Sequence, residues 1–217
     1  NFSSGSTSGL SVRDDSTLNF SGGNVSVGLT AFDASVVNIS GGSIDVLQAF
    51  GDTHSVVNFS GGMVSGYLYA DNNTVVNFSG GTITHYLYTD HNSILNFSGG
   101  TVSDYLFSYN GVVNFSGGTI STNLFATNNT VVNFTGGTVS HSLYARDNGF
   151  VSIFGWNLSA SLVDPNALGG DYRLYALSGF LSDGTILSNK SLYIQNNSTA
   201  SYILVNVPEP GAVAFGV

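Results

Sequence analysis

A five-residue phrase returns along this chain at almost constant intervals. Aligned on the Asn of Asn-Phe-Ser-Gly-Gly, its copies begin at Asn1, Asn19, Asn38, Asn58, Asn77, Asn96, Asn114 and Asn133, with a degenerate ninth at Ser152. The spacings are 18, 19, 20, 19, 19, 18, 19 and 19 residues. Residues 56–74 show a full unit: Val-Val-Asn-Phe-Ser-Gly-Gly-Met-Val-Ser-Gly-Tyr-Leu-Tyr-Ala-Asp-Asn-Asn-Thr. A Gly-Gly pair interrupts any helix, apolar residues alternate and β-branched residues are frequent, so each unit reads as two or three short strands joined by tight turns.

Alternation sorts the side chains of a unit. Val57 and Phe59 face inward, Gly61-Gly62 turns the chain, Val64 faces in again, and Leu68 and Ala70 complete the set. Val76, Phe78, Ile83 and Leu87 repeat it in the next unit, and Phe97, Phe115 and Phe134 continue the Phe position. Asn58, Ser60, Ser65, Tyr67 and Tyr69 are left outside. A few apolar side chains cannot offset the ordering of a whole unit's backbone, so a unit holds its shape only by lying on its neighbours. In-register stacking puts Phe on Phe and lines up identical Asn or Ser side chains as hydrogen-bonded ladders. The expected fold is all-β: a single-chain parallel β-solenoid, right-handed by the rule for parallel crossovers. Eight intervals at about 4.8 Å make a rod of about 38 Å.

Two length changes are expected at one corner, after the Leu-x-Ala strand: extra residues around Gly51-Asp52-Thr53-His54 and a shortening near Tyr109-Asn110. The solenoid is expected to span residues 1–157. Beyond it the period is lost, and residues 158–207 read as a hairpin cap. Its turns are marked by Asp164-Pro165-Asn166, Gly169-Gly170-Asp171, Ser182-Asp183-Gly184 and Asn196-Asn197, with strands at 172–181, 185–187, 191–195 and 202–207. Such a cap covers the open end of the core, and Trp156, at the junction, is expected to plug it.

Charge excludes several functions. Only 8% of the 217 residues are charged, and the cations are Arg13, Arg146, Arg173 and Lys190 against 13 acidic residues. A net charge of −9 with no basic cluster rules out nucleic acid as a partner. The absence of Cys removes disulfide frameworks, thiolate metal sites and Cys nucleophiles. No apolar run reaches the ~20 residues that span a bilayer.

The residues 207–217, Val-Pro-Glu-Pro followed by small and apolar side chains, resemble the start of a PEP-CTERM sorting signal, the tail by which exosortase systems handle exported proteins of biofilm-forming Gram-negative bacteria. Pro208, Glu209 and Pro210 carry the likeness. Residues 177–185 and Leu204-Val205-Asn206 also resemble the segment before that signal in repeat-rich members. The resemblance implies export, processing near Pro208–Pro210, and a place in the extracellular matrix or on the cell surface. The family tail continues as a membrane-spanning helix and a basic cluster, whereas seven residues follow Pro210 here, so a processed or cut chain is expected, with membrane contact only through the absent tail.

Candidate chemistry is sparse. Asp71 and Asp90 occupy equivalent positions in successive units, and stacking would bring them within the carboxylate separation that glycoside hydrolysis uses. Asp71-Asn72-Asn73 and Asp90-His91-Asn92 are equally turn formers that cap their own backbone, and this is the preferred reading. The calcium β-roll nonapeptide is missing, and His54, His85, His91 and His141 lack zinc spacing. No P-loop, dinucleotide fingerprint or nucleophile elbow occurs. No cofactor, metal site or catalytic residue is assigned, and the chain is expected not to be an enzyme. The Asn-x-Ser/Thr sequons are expected to be mostly bare.

An aromatic stripe remains. Tyr67, Tyr86 and Tyr105 share one outward position, and Tyr69, Tyr88, Phe107, Phe125 and Tyr144 share another two residues along. Such a stripe can bury itself against another subunit, stabilise the rod's surface, or stack on sugar rings, in that order of preference. The sequence therefore points to an extracellular structural protein that polymerises with itself into a filament, sheath or matrix layer. A monomeric exopolysaccharide-binding module is the alternative, and a polysaccharide lyase or hydrolase the third reading.

Overall fold

A computed structural model describes residues 1–51, 54–209 and 211. Its strands form the expected parallel β-solenoid, with coils numbered here from the Asn that opens each one, coil 1 at Asn1 to coil 8 at Asn133 and coil 9 at Ser152. A coil carries three strand positions. In coil 5 they are Val75–Phe78, Thr82–Ile83 and Leu87–Thr89; in coil 6, Ile94–Phe97, Thr101–Val102 and Leu106–Tyr109. The two coils pair in parallel with like on like: Phe78 with Phe97, Ile83 with Val102, Leu87 with Leu106.

The interior follows the alternation. Val57, Phe59, Val64, Leu68, Val76, Phe78, Ile83, Leu87, Phe97, Phe115 and Phe134 are all buried. Phe59, Phe78, Phe97, Phe115 and Phe134 form one column, with ring centroids 4.7–5.2 Å apart. The Gly-Gly pair follows from the closeness of the coils at this corner. A methyl on Gly117 would sit 2.5 Å from the carbonyl oxygen of Ser98, and Gly118 has φ +88° with Phe97 against it.

On the outside, the repeat Asn residues form an unbroken amide ladder. Each Nδ2 donates to the Oδ1 one coil back, from Asn19 to Asn1 through Asn133 to Asn114, in seven bonds of 2.8–2.9 Å. Each of these amides is thus engaged with its neighbours about one coil rise away. Two buried hydroxyl pairs also link coils: Ser55 with Thr74 at 2.8 Å at the corner before the first strand, and Thr89 donating to Ser108 at 2.9 Å in the third-strand column of Ala70 and Ala126.

The length changes differ in part from expectation. The shortening at Tyr109-Asn110 lies where expected, because Tyr109 pairs with Thr127 whereas Val112 pairs with Val131. Coil 3 gains two residues between Ala49 and Val57, at the corner where Asp52 and Thr53 lie outside the described residues. It also loses one between Ile44 and Leu47, since Ile44 pairs with Val64 but Leu47 with Leu68. Coil 1 is shortened at the same second corner, between Thr7 and Leu10. Two corners, rather than one, absorb changes in length.

The boundary at 157 is corrected. Strand Phe150–Ala167 crosses it and runs straight through Asp164-Pro165-Asn166, the first expected turn. The chain then turns at Leu168–Gly170, returns as Tyr172–Leu181 antiparallel to it, and doubles back as Ile186–Gln195, one strand where two were expected. That last strand rejoins the solenoid: Leu143 pairs in parallel with Leu192 and Tyr144 with Tyr193. Ser201–Asn206 then lies on coil 9, Ile153 against Leu204. Leu192 stands 49 positions after its partner against the usual 19 between Leu124 and Leu143, so the hairpins are a 30-residue excursion inside a coil. Trp156 is half-buried on the outer side, stacked on Phe180 at 5.4 Å; Leu158, Leu177, Leu181 and Leu187 close the core instead.

The excursion leaves the middle strand of coil 9 unfilled, and side chains serve the exposed backbone below. Asp183 Oδ2 accepts from the Gly137 N–H at 2.8 Å, and Lys190 Nζ donates to the carbonyls of Val139, Ser140 (3.0 Å) and His141 (3.1 Å). Burial there lowers the Lys190 pKa.

Candidate functional site

The aromatic stripe is built by third strands, whose outward residues follow the buried Leu of each coil. Tyr69, Tyr88, Phe107, Phe125, Tyr144 and Tyr193 form one file over six coils, with successive centroids 4.5–6.3 Å apart; Phe32 and Phe50, two residues further along in the column of Asp71, extend the run of touching rings, Phe50 meeting Tyr69 edge-on at 5.8 Å. The run exceeds the predicted stripe by Phe32 and Phe50 at one end and Tyr193 at the other. Arg13 lies 4.2 Å over Phe32 at the first end, and Arg146 lies 4.7 Å over Phe125 near the second.

Its exposure is less than predicted. Tyr86 is exposed, Phe125 is buried, and Tyr67, Tyr69, Tyr88, Tyr105, Phe107 and Tyr144 are half-buried. Phe125 is covered because Phe107 and Tyr144 stack on its two faces, at 4.5 and 4.7 Å, and Arg146 lies across it. Rings packed face to face offer water only their edges and hydroxyls, so most of the file lacks the open ring face that a sugar needs.

The second file is short. Tyr67 and Tyr86 stack at 5.1 Å with planes 6° apart, but Tyr105 leans away onto Phe107 at 5.6 Å and Phe125 at 5.9 Å. Tyr109, absent from the predicted stripe, folds from the shortened corner onto Tyr88 at 5.2 Å. The break leaves an apolar cleft of about 300 Å³ lined by Tyr86, Tyr88, Phe107 and Tyr109.

The carboxylates considered for catalysis do come together. Among the described residues, Asp71, Asp90 and His91 form one group that could bring three metal-ligand atoms within 4.8 Å of one another. Protein donors already engage both Asp71 oxygens and one of the Asp90 oxygens. Asp71 Oδ1 accepts from the Asn72 N–H at 2.8 Å and from His91 Nδ1 at 2.7 Å, and its Oδ2 accepts from the Tyr69 hydroxyl at 3.1 Å. Asp90 Oδ1 accepts from the His91 N–H at 2.7 Å. Asn72, Asn73, His91 and Asn92 have positive φ, so the carboxylates stabilise left-handed corners. Hydrogen bonding to Asp71, then the charges of Asp90 and Asp71, raise the His91 pKa. Burial and the bond to Asp71 push the Tyr69 pKa up to about 12.

Pro208 and Glu209 lie exposed beyond the last strand, and Pro210 lies outside the described residues. Among the described residues, no helix is long and apolar enough to cross a membrane. The chain matches no protein-family model, no curated protein and no solved structure.

Proposed function

We propose that this chain is an extracellular structural protein whose rod self-assembles into a filament, sheath or matrix layer. The observation that carries the reading is the use of the repeat side chains: the Phe column, the Asn ladder and most of the outer aromatics contact the equivalent residue of the next coil. Edges for growth support it as well. Among the described residues, Ser6–Val12 and Ser201–Asn206 each pair with a coil on one side only, and such strands accept others. The PEP-type residues Pro208, Glu209 and Pro210 support export and a cell-surface location. Negative-stain microscopy of the purified chain tests this: filaments or sheets are expected, and isolated rods at every concentration overturn it.

The cleft at Tyr86, Tyr88, Phe107 and Tyr109 favours a second reading, an exopolysaccharide-binding module, because the stacks open there. Glycan-array binding by a monodisperse protein, lost on Tyr88→Ala, would select it.

A further inference from the structure

The first-strand face carries an apolar row of its own. Val36, Val56, Val75, Ile94, Val112, Val131 and Phe150 stand in register on its outside, half-buried or exposed. Two residues along runs the Asn ladder, and beyond it Ser40, Ser60, Ser79, Ser98 and Ser116. None of these columns contains a charged residue, in a chain whose net charge is −9. Two copies therefore repel least when they meet here. Strand propensity alone does not explain the row, because Thr would serve it as well, yet among coils 2 to 9 Thr stands there only at Thr17.

We propose that this face docks a second copy of the chain, rods antiparallel, apolar row against apolar row. The proposal rests on the self-assembling reading above and names its surface. A row spaced by the coil rise is matched along its length by another row of the same rise. A two-fold axis along the strand direction sets every column against its own kind and makes the contact self-complementary. Ile94 is the middle member of the seven-residue row, so it lies on that axis and meets itself; it is also 37% exposed. Beside it, the shortened corner opens a groove of about 460 Å³ lined in part by Ile94, Asn110, Gly111, Val112 and Val131, into which the facing row can settle. Seven coils by five residues cover about 500 Å² per copy, about 1,000 Å² in all, near the floor for a specific interface. A single pair is therefore weak, and the contact belongs to an array.

A chain without Cys permits a direct test. Ile94→Cys is expected to give a disulfide-linked dimer on mild oxidation, and Met63→Cys, exposed on the middle-strand face, is expected not to. Ultracentrifugation should show a concentration-dependent dimer for the natural chain, weakened at least about 10-fold in Val75→Glu/Val112→Glu. Circular dichroism checks that the variant folds, and Val75→Thr/Val112→Thr replaces it if it does not. Equal cross-linking of both Cys variants, or a folded variant that dimerises like the natural chain, overturns the proposal. Filaments that persist in that variant as thin rods, without lateral bundles, leave the self-assembling reading standing and place lateral contact here. A natural chain that is monomeric and forms no filament overturns both.

Discussion

Coils 2 to 8 and the excursion between Gly155 and Lys190 solve the same problem by different means. A coil's backbone edge is met by the next coil, so Phe, Val and Asn repeat down their columns and no charged side chain is needed to satisfy that edge. In the excursion that next strand is missing at the middle position. The sole lysine and an aspartate supply the absent donors and acceptor instead, reaching Val139, Ser140, His141 and Gly137. Its strand Phe150–Ala167 also carries Asp164, Pro165 and register shifts, devices that blunt an edge against further pairing. Repetition thus gives stability through sameness, and termination needs unlike residues.

Substitutions at matched positions can break this contrast. The largest effect is expected at the Phe column: Phe97→Ala should lose about 3–5 kcal/mol, because the cavity is held open from both sides. Trp156→Ala, on the outer side of the excursion, should lose only about 1–2 kcal/mol, in line with the stacking of a half-exposed ring. Chemical denaturation of both variants measures the difference, and equal losses would refute it.

Glycines come next. Gly117→Ala should destabilise by about 3 kcal/mol, since its methyl meets Ser98 backbone that the stack prevents from moving. Gly184→Ala should lose about 1–2 kcal/mol, because its φ of +91° is strained for alanine while the space around it is open. Thermal melts rank the pair.

The polar devices follow. Lys190→Ala should lose about 1–3 kcal/mol, leaving three carbonyls short of a donor. Asn96→Ala breaks two ladder bonds whose partners can still reach water, and should lose about 1–2 kcal/mol. A ladder loss above that of Lys190 would mean that amide rungs act cooperatively.

The smallest effect is a pH dependence. His91 gains Asp71 and Asp90 on folding, so its folded pKa lies above the ordinary 6.5. Its contribution is complete below pH 6.5 and disappears as pH rises through the raised folded value. The melting temperature of the natural chain should fall slightly across that window relative to His91→Gln, and parallel profiles would count against it.

Coil, core and Asn ladder were legible because each depends on residues one period apart. Phe59 implies Phe78 once the units must stack. The hairpins of the excursion were legible from their turn marks, the strand Tyr172–Leu181 with its bounds, but their register and their return into the solenoid were not, since antiparallel pairings join positions that share no pattern. A signal of that return did exist: Ser191-Leu192-Tyr193 repeats Ser142-Leu143-Tyr144, and Asn196-Asn197 repeats the corner of Asn72-Asn73. The burial of Phe125 escaped because it depends on how Arg146 and Tyr144 settle around it, which alternation along one strand does not encode. Tyr109 escaped for a similar reason, since a deleted residue turned it back onto Tyr88. The deletion between Ile44 and Leu47 was hidden by the insertion after it, which left the overall spacing nearly normal.

The Asn amides all donate the same way, from each coil to the one before it, so their dipoles add rather than cancel. The row has its positive pole at Asn1 and its negative pole toward Asn133, which makes the molecule an oriented object with electrically unlike ends. Extending it by whole coils would enlarge that polarisation while leaving every local contact as it was.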